Sequence, residues 1–128
     1  MLIRPARLCL LYLFGAFFLL FGLAGLLNPA MLAAKLNLLP LSSAGLGEIR
    51  GLYGGGFAGF GLVILAGLRS RAAGPGLLLG MSIILGGIVI GRLASMAVDH
   101  DYAFALPAAL IEALMALCCY YESRRLSA

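Results

Sequence analysis

Five ionisable residues stand inside or at the edge of long apolar runs: Glu48, Arg50, Arg92, Asp99 and Glu112. A charge near the centre of a lipid-crossing helix costs about 2.5 to 3.5 kcal/mol on insertion scales, so a residue kept there points to pairing, binding or proton movement. Two arginines with carboxylates nearby admit three kinds of chemistry. Guanidinium forks hold carboxylate or another anion bidentately, carboxylates carry protons, and a mutually satisfied set fixes helix register. Tyr53 and Gly54 follow Arg50 at helical spacing, and Arg92, Ser95 and Asp99 fall in a row on one face of another segment. Glu48, Arg50, Tyr53, Arg92, Ser95, Asp99 and Glu112 are therefore the candidate polar layer.

The elements that must position this layer follow from composition. Hydrophobic residues make up 63% of the 128 and charged residues 11%, against roughly 45 to 50% apolar content in soluble domains. The charges sit at the ends of runs of about 20 residues, the length that spans a hydrocarbon core of about 30 Å. The reading is an all-α integral membrane four-helix bundle, a single transmembrane domain. Its spans are about residues 8–27, 44–68, 76–98 and 104–121. Asn28-Pro29 stops the first span, and the stretch from Ala30 to Leu39, bounded by Pro40, suits a short interfacial helix. Pro107 is expected near the start of the fourth helix.

Arg4, Arg7, Arg69, Arg71, Arg124 and Arg125 all fall on one side of this threading, whereas the opposite loops carry only Lys35. The positive-inside rule then predicts both termini in the cytoplasm. A cleaved signal peptide over Met1 to about Leu27 is the competing reading. Its apolar run exceeds the roughly 7 to 15 residues usual for such a region. With this orientation Arg50, Arg92 and Glu112 each lie on the order of 10 Å below the outer surface, at ~1.5 Å per residue.

Packing is expected through small residues. Gly47, Gly51, Gly55 and Gly59 are spaced by four on the second span, and Gly87, Gly91 and Ser95 repeat the pattern on the third. Ala105, Ala109 and Ala113, with Ala108 and Ala116 one row over, repeat it on the fourth and turn Glu112 toward other helices. Such stripes let backbones approach closely in lipid, where no hydrophobic drive operates between helices.

Other motifs weaken on inspection. Gly54, Gly56 and Gly59 match GxGxxG, but no strand precedes them and no βαβ unit follows. Paired arginines at segment ends do not make a nucleic-acid face. Cys9, Cys118 and Cys119 offer no spaced CxxC and read as apolar residues near one membrane surface. His100, between Asp99 and Asp101, reads as a solvated turn residue, so no metal site and no cofactor is expected.

The strings Glu48-Ile49-Arg50-Gly51-Leu52-Tyr53-Gly54-Gly55 and Gly91-Arg92-Leu93-Ala94-Ser95, with Asp99 beyond and Glu112 alone in the last helix, carry a family likeness. The chain resembles small four-helix bacterial membrane proteins grouped as a domain of unknown function, similar in architecture to DoxX-like proteins. That resemblance implies the fold and a bacterial inner membrane, and no activity. Asp99-His100-Asp101-Tyr102 departs from the Asp-Gly turn associated with the group.

Three functions fit the residues. The first is a non-enzymatic accessory or scaffold subunit, touching membrane lipid, other membrane helices or a larger complex. The second is a small-molecule, lipid or ion site or pathway in the polar layer. The third is an interfacial enzyme with Glu112 as acid or base, which lacks a nucleophile with a neighbouring base.

Overall fold

The computed structural model describes residues 4–39, 41–100 and 102–128; Met1 to Ile3, Pro40 and Asp101, including the proposed bounds at Met1 and Pro40, lie outside them. The described residues are predominantly helical, without strands. Five helices follow in order: α1 Arg4–Leu27, α2 Pro29–Lys35, α3 Ser43–Arg69, α4 Gly74–Val98 and α5 Tyr102–Leu126. All except α2 are long and apolar enough to cross a membrane. This is a multi-pass membrane protein. Large side chains such as Leu20 and Ile83 stay about two-thirds exposed, at 67% and 68%, as expected where lipid rather than protein covers them.

Local chemistry explains the breaks. Asn28 accepts a hydrogen bond from the Met31 amide at 3.0 Å and Pro29 takes the first position of α2, a cap that suits both residues. At the other end of α2, Asn37 adopts a left-handed φ of 54°. The Leu38 amide donates to the Ala33 carbonyl at 2.9 Å and the Asn37 amide to the Ala34 carbonyl at 3.3 Å. That bond pair is the Schellman arrangement, with Asn in the place glycine usually takes. Ser42 caps α3 by accepting from the Gly45 amide at 3.2 Å. After α4, His100 repeats the left-handed turn at φ 57°.

The chain forms two compact units. The first, Tyr12–Leu65, contains most of α1, all of α2 and most of α3. Its last helix, α3, is not regular: Ile49–Gly56 is π-helical, continuing as α-helix from Phe57. Glycine at positions 51, 54, 55 and 56 lowers the helix propensity of this stretch and eases the wider turn. Ile49 and Gly54 are its buried residues. Ile49 packs with Leu32 and Ala33 of α2, and Phe21, Leu36, Leu38 and Tyr53 close around them.

Helices α1 and α3 meet along glycines. A Cβ on Gly22 would strike the Ala58 amide and come within 2.6 Å of the Gly54 carbonyl; one on Gly61 would lie 2.5 Å from the Gly15 carbonyl and the Leu19 amide. A Cβ on Gly25 would lie 3.1 Å from the Gly54 Cα. The contact row is thus Gly15, Gly22 and Gly25 against Gly54, Ala58 and Gly61. Beside it, Phe18, Phe21, Tyr53, Phe57 and Phe60 form a ring cluster, with Phe18 edge-on to Phe57 at 5.3 Å and Tyr53 stacked on it at 5.8 Å.

This differs from the expected stripe. A Cβ on Gly47, Gly51 or Gly59 would meet no described atom within 4 Å, and Gly55 reaches only Leu26 at 3.9 Å. Gly87 and Gly91 on α4 are equally open. The π-helical turn moves the buried face off the four-residue spacing, and the row it brings against α1 is the one containing Gly54.

The second unit is Met1–Leu11 with Ala66–Ala128. Here α4 and α5 form an antiparallel pair. The Ser123 hydroxyl donates to the Pro75 carbonyl at 2.7 Å and the Ser82 hydroxyl to the Ala116 carbonyl at 2.8 Å. Leu78, Met81, Leu85, Met115 and Cys119 are fully or almost fully buried. Helix α5 runs farther than expected in both directions. Pro107 therefore sits inside it, beyond the first turn whose amides lack partners in any case.

Candidate functional site

Within the second unit, Arg92 and Glu112 meet. The Arg92 Nε donates to one Glu112 carboxylate oxygen at 2.6 Å and Nη2 to the other at 2.7 Å. This is the two-pronged geometry in which a guanidinium satisfies both oxygens of one carboxylate. The Arg92 and Glu112 side chains are 24% and 14% exposed, so the pair is mostly withdrawn between α4 and α5. The Arg92 guanidinium also lies over the Phe104 ring, 5.3 Å from its centre, a distance at which the ring face attracts a cation. One turn on, the Ser95 hydroxyl donates to Asp99 at 3.1 Å, in an exposed setting at the end of α4. His100 is exposed and stacks on Tyr102 at 6.4 Å; its other acidic neighbour, Asp101, lies outside the described residues.

The remaining predicted residues belong to the first unit. Arg50 is exposed, and its Nε donates to the Leu26 carbonyl at 3.3 Å, which gives the last turn of α1 a cationic partner for one of its orphan carbonyls. Tyr53, expected over Arg50, instead packs into the Leu32–Ala33–Ile49 cluster and against Phe57. The π-helical turn rotates it away from its α-helical position. Glu48 is exposed, and no ion pair joins it to another described residue.

A second charge constellation was not expected from the sequence. Arg7 donates through Nε at 3.0 Å and Nη2 at 2.6 Å to one oxygen of Glu122. Their side chains are 7% and 2% exposed, and Arg125 approaches the other Glu122 oxygen at 3.7 Å. These are the most deeply buried charges described. The sequence reading placed Arg7 among orienting charges and ended the fourth span at Tyr121, which left Glu122 outside the membrane. The available signal was Glu122 itself, the one carboxylate in a segment otherwise rich in arginine. Cys118 and Cys119 lie buried one turn before it, and Cys9 is exposed near Arg7; all three are free thiols.

The two pairs can hold helices in register, each joining the Nε and Nη2 donors of an arginine to a carboxylate on another helix. Arg7 with Glu122 ties the start of α1 to the last turn of α5. Arg92 with Glu112 ties α4 to α5 at the opposite end. Among the described residues no group of three metal-ligating side chains converges.

No curated protein and no solved structure gives a significant match to the chain. The sequence profile of a domain of unknown function, DUF4345, matches residues 7–122. That interval begins at Arg7 and ends at Glu122, and the chain belongs to the DUF4345 family.

Proposed function

We propose that the protein is a non-enzymatic accessory or scaffold subunit of a bacterial inner membrane, oriented with both termini in the cytoplasm. The observation that carries this reading is the contrast between spent charge and unspent packing surface. Arg92 and Glu112 satisfy each other. Gly47, Gly51 and Gly59 on α3 and Gly80, Gly87 and Gly91 on α4 meet no described atom. Open glycine rows suit the approach of another membrane helix. The orientation is supported by the clustering of arginines at the end of the second unit where α1 begins and α5 finishes.

The test is gentle extraction of the full chain, followed by native electrophoresis. The expected result is a species larger than the monomer that Gly51→Leu or Gly87→Leu reduces to monomer without lowering thermal stability. Monomer alone from the wild type, with every membrane complex intact after deletion of the gene, overturns the reading.

A second reading, a small-molecule, lipid or ion site or pathway in the outer half of the bundle, draws on Arg50. It stands in a π-helical segment, a structure frequent at functional sites, and only its Nε has a protein partner among the described residues. An Arg50→Gln variant that loses binding or flux while keeping its melting temperature favours this reading; unchanged binding and flux disfavour it.

A further inference from the structure

The arginine-rich end of the second unit has a surface that helix fastening does not explain. The Gly74 backbone packs beside Leu126, where an added Cβ would be 3.2 Å from that side chain, and Ser123 is bonded to Pro75. The α3–α4 link therefore lies against the last turn of α5. This brings Arg69 and Arg71 to the same end as Arg124 and Arg125, and the Arg7–Glu122 bond adds the first turn of α1 with Arg4. Arg4, Arg69, Arg71, Arg124 and Arg125 are all exposed.

Glu122 is the one side-chain carboxylate among these residues, and it is turned inward. Its side chain is 2% exposed and both its oxygens face Arg7 or Arg125. The outer surface is left almost purely cationic. Every cation on it is arginine, whose planar fork matches the oxygens of a phosphodiester. Tyr120 and Tyr121 sit exposed, at 42% and 48%, one turn before Arg124, and exposed tyrosines of this kind favour the level of lipid headgroups.

We infer that this end of the protein is a docking surface for anionic phospholipid headgroups. The guanidinium groups of Arg69, Arg71, Arg124 and Arg125 engage the phosphates while Tyr120 and Tyr121 lie at the glycerol level. Burial of Glu122 against Arg7 removes the only nearby side-chain negative charge from the lipid's path. Each arginine at a membrane surface contributes on the order of 1 kcal/mol toward anionic lipid, and the attraction is weakened by salt.

The test uses the full-length chain in neutral detergent, with lipid adducts counted by native mass spectrometry. Phosphatidylglycerol is expected to bind about tenfold or more tightly than phosphatidylcholine, and inorganic phosphate exchanged for another salt at constant ionic strength should leave its adducts in place. The variant R69Q/R71Q/R124Q/R125Q should lose that preference, and K35Q should keep it. Equal binding of the two lipids overturns the inference, as does displacement by free phosphate, which would indicate a site for a soluble anion. A salt titration of the wild type decides the matter independently of how the variant folds. Phosphatidylglycerol adducts should decline as salt rises, and insensitivity to salt contradicts the assignment.

Discussion

The two compact units hold their helices together in different ways under the same solvent constraint. In Tyr12–Leu65 the contacts are steric: backbone meets backbone at Gly22, Gly54 and Gly61, with a cluster of phenylalanine rings beside them. In the unit containing α4 and α5, polar groups do the fastening, through two ion pairs and the hydroxyls of Ser82 and Ser123. Lipid removes the hydrophobic drive between helices, so close van der Waals contact or satisfied hydrogen bonds must replace it. Buried ion pairs thus fasten helices in the unit containing α4 and α5, whereas none of the described ion pairs lies in Tyr12–Leu65, whose charged residues Glu48 and Arg50 are exposed.

The largest expected effect tests the polar unit. Arg7→Met leaves the Glu122 carboxylate, and Glu122→Gln the Arg7 guanidinium, buried without its opposite charge, and either should cost about 3 to 5 kcal/mol of stability. Denaturation in detergent measures it, and a loss below about 1 kcal/mol would remove the buried pair as a fastening. The steric unit should respond next. Gly22→Ala places a methyl group on the Ala58 backbone, and such overpacking costs about 1 to 3 kcal/mol.

The open row should behave differently. Gly87→Ala meets no described atom, so it should be neutral or gain up to about 1 kcal/mol from helix propensity. A large loss there would mean that the row is already packed. The smallest effect is expected at Ser82. Its single hydroxyl bond to Ala116 should contribute about 0.6 kcal/mol, readable as a slight fall in melting temperature for Ser82→Ala.

Much of the architecture was legible in the sequence because length and apolarity are sufficient signals for a membrane span. The four apolar helices and the Asn28-Pro29 break appear as expected, and Arg92 meets Glu112, two of the charges singled out inside the apolar runs. The glycine contact was misplaced for a definable reason. A four-residue repeat presumes an α-helix throughout, whereas Ile49–Gly56 is π-helical, and Gly54 rather than Gly51 or Gly55 faces α1. Gly15, Gly22 and Gly25 carried the complementary signal, since a close approach needs small residues on both helices. Arg7 and Glu122 were hidden by their position at the span ends, where an arginine ordinarily reads as an orienting charge. Their pairing joins residues 115 apart in the chain, a relation no local spacing can display.

Whether the charges within α4 and α5 fasten those helices is read out by a double-mutant cycle on Arg92 and Glu112. Thermal or denaturant stability is measured in detergent for R92Q, E112Q and the double variant. The fastening account predicts that each single change costs about 1.5 to 3 kcal/mol. The double variant should then cost less than the sum, with a coupling of about 1 kcal/mol or more. Additive or negligible losses would contradict it and return both residues to the list of groups kept for a ligand.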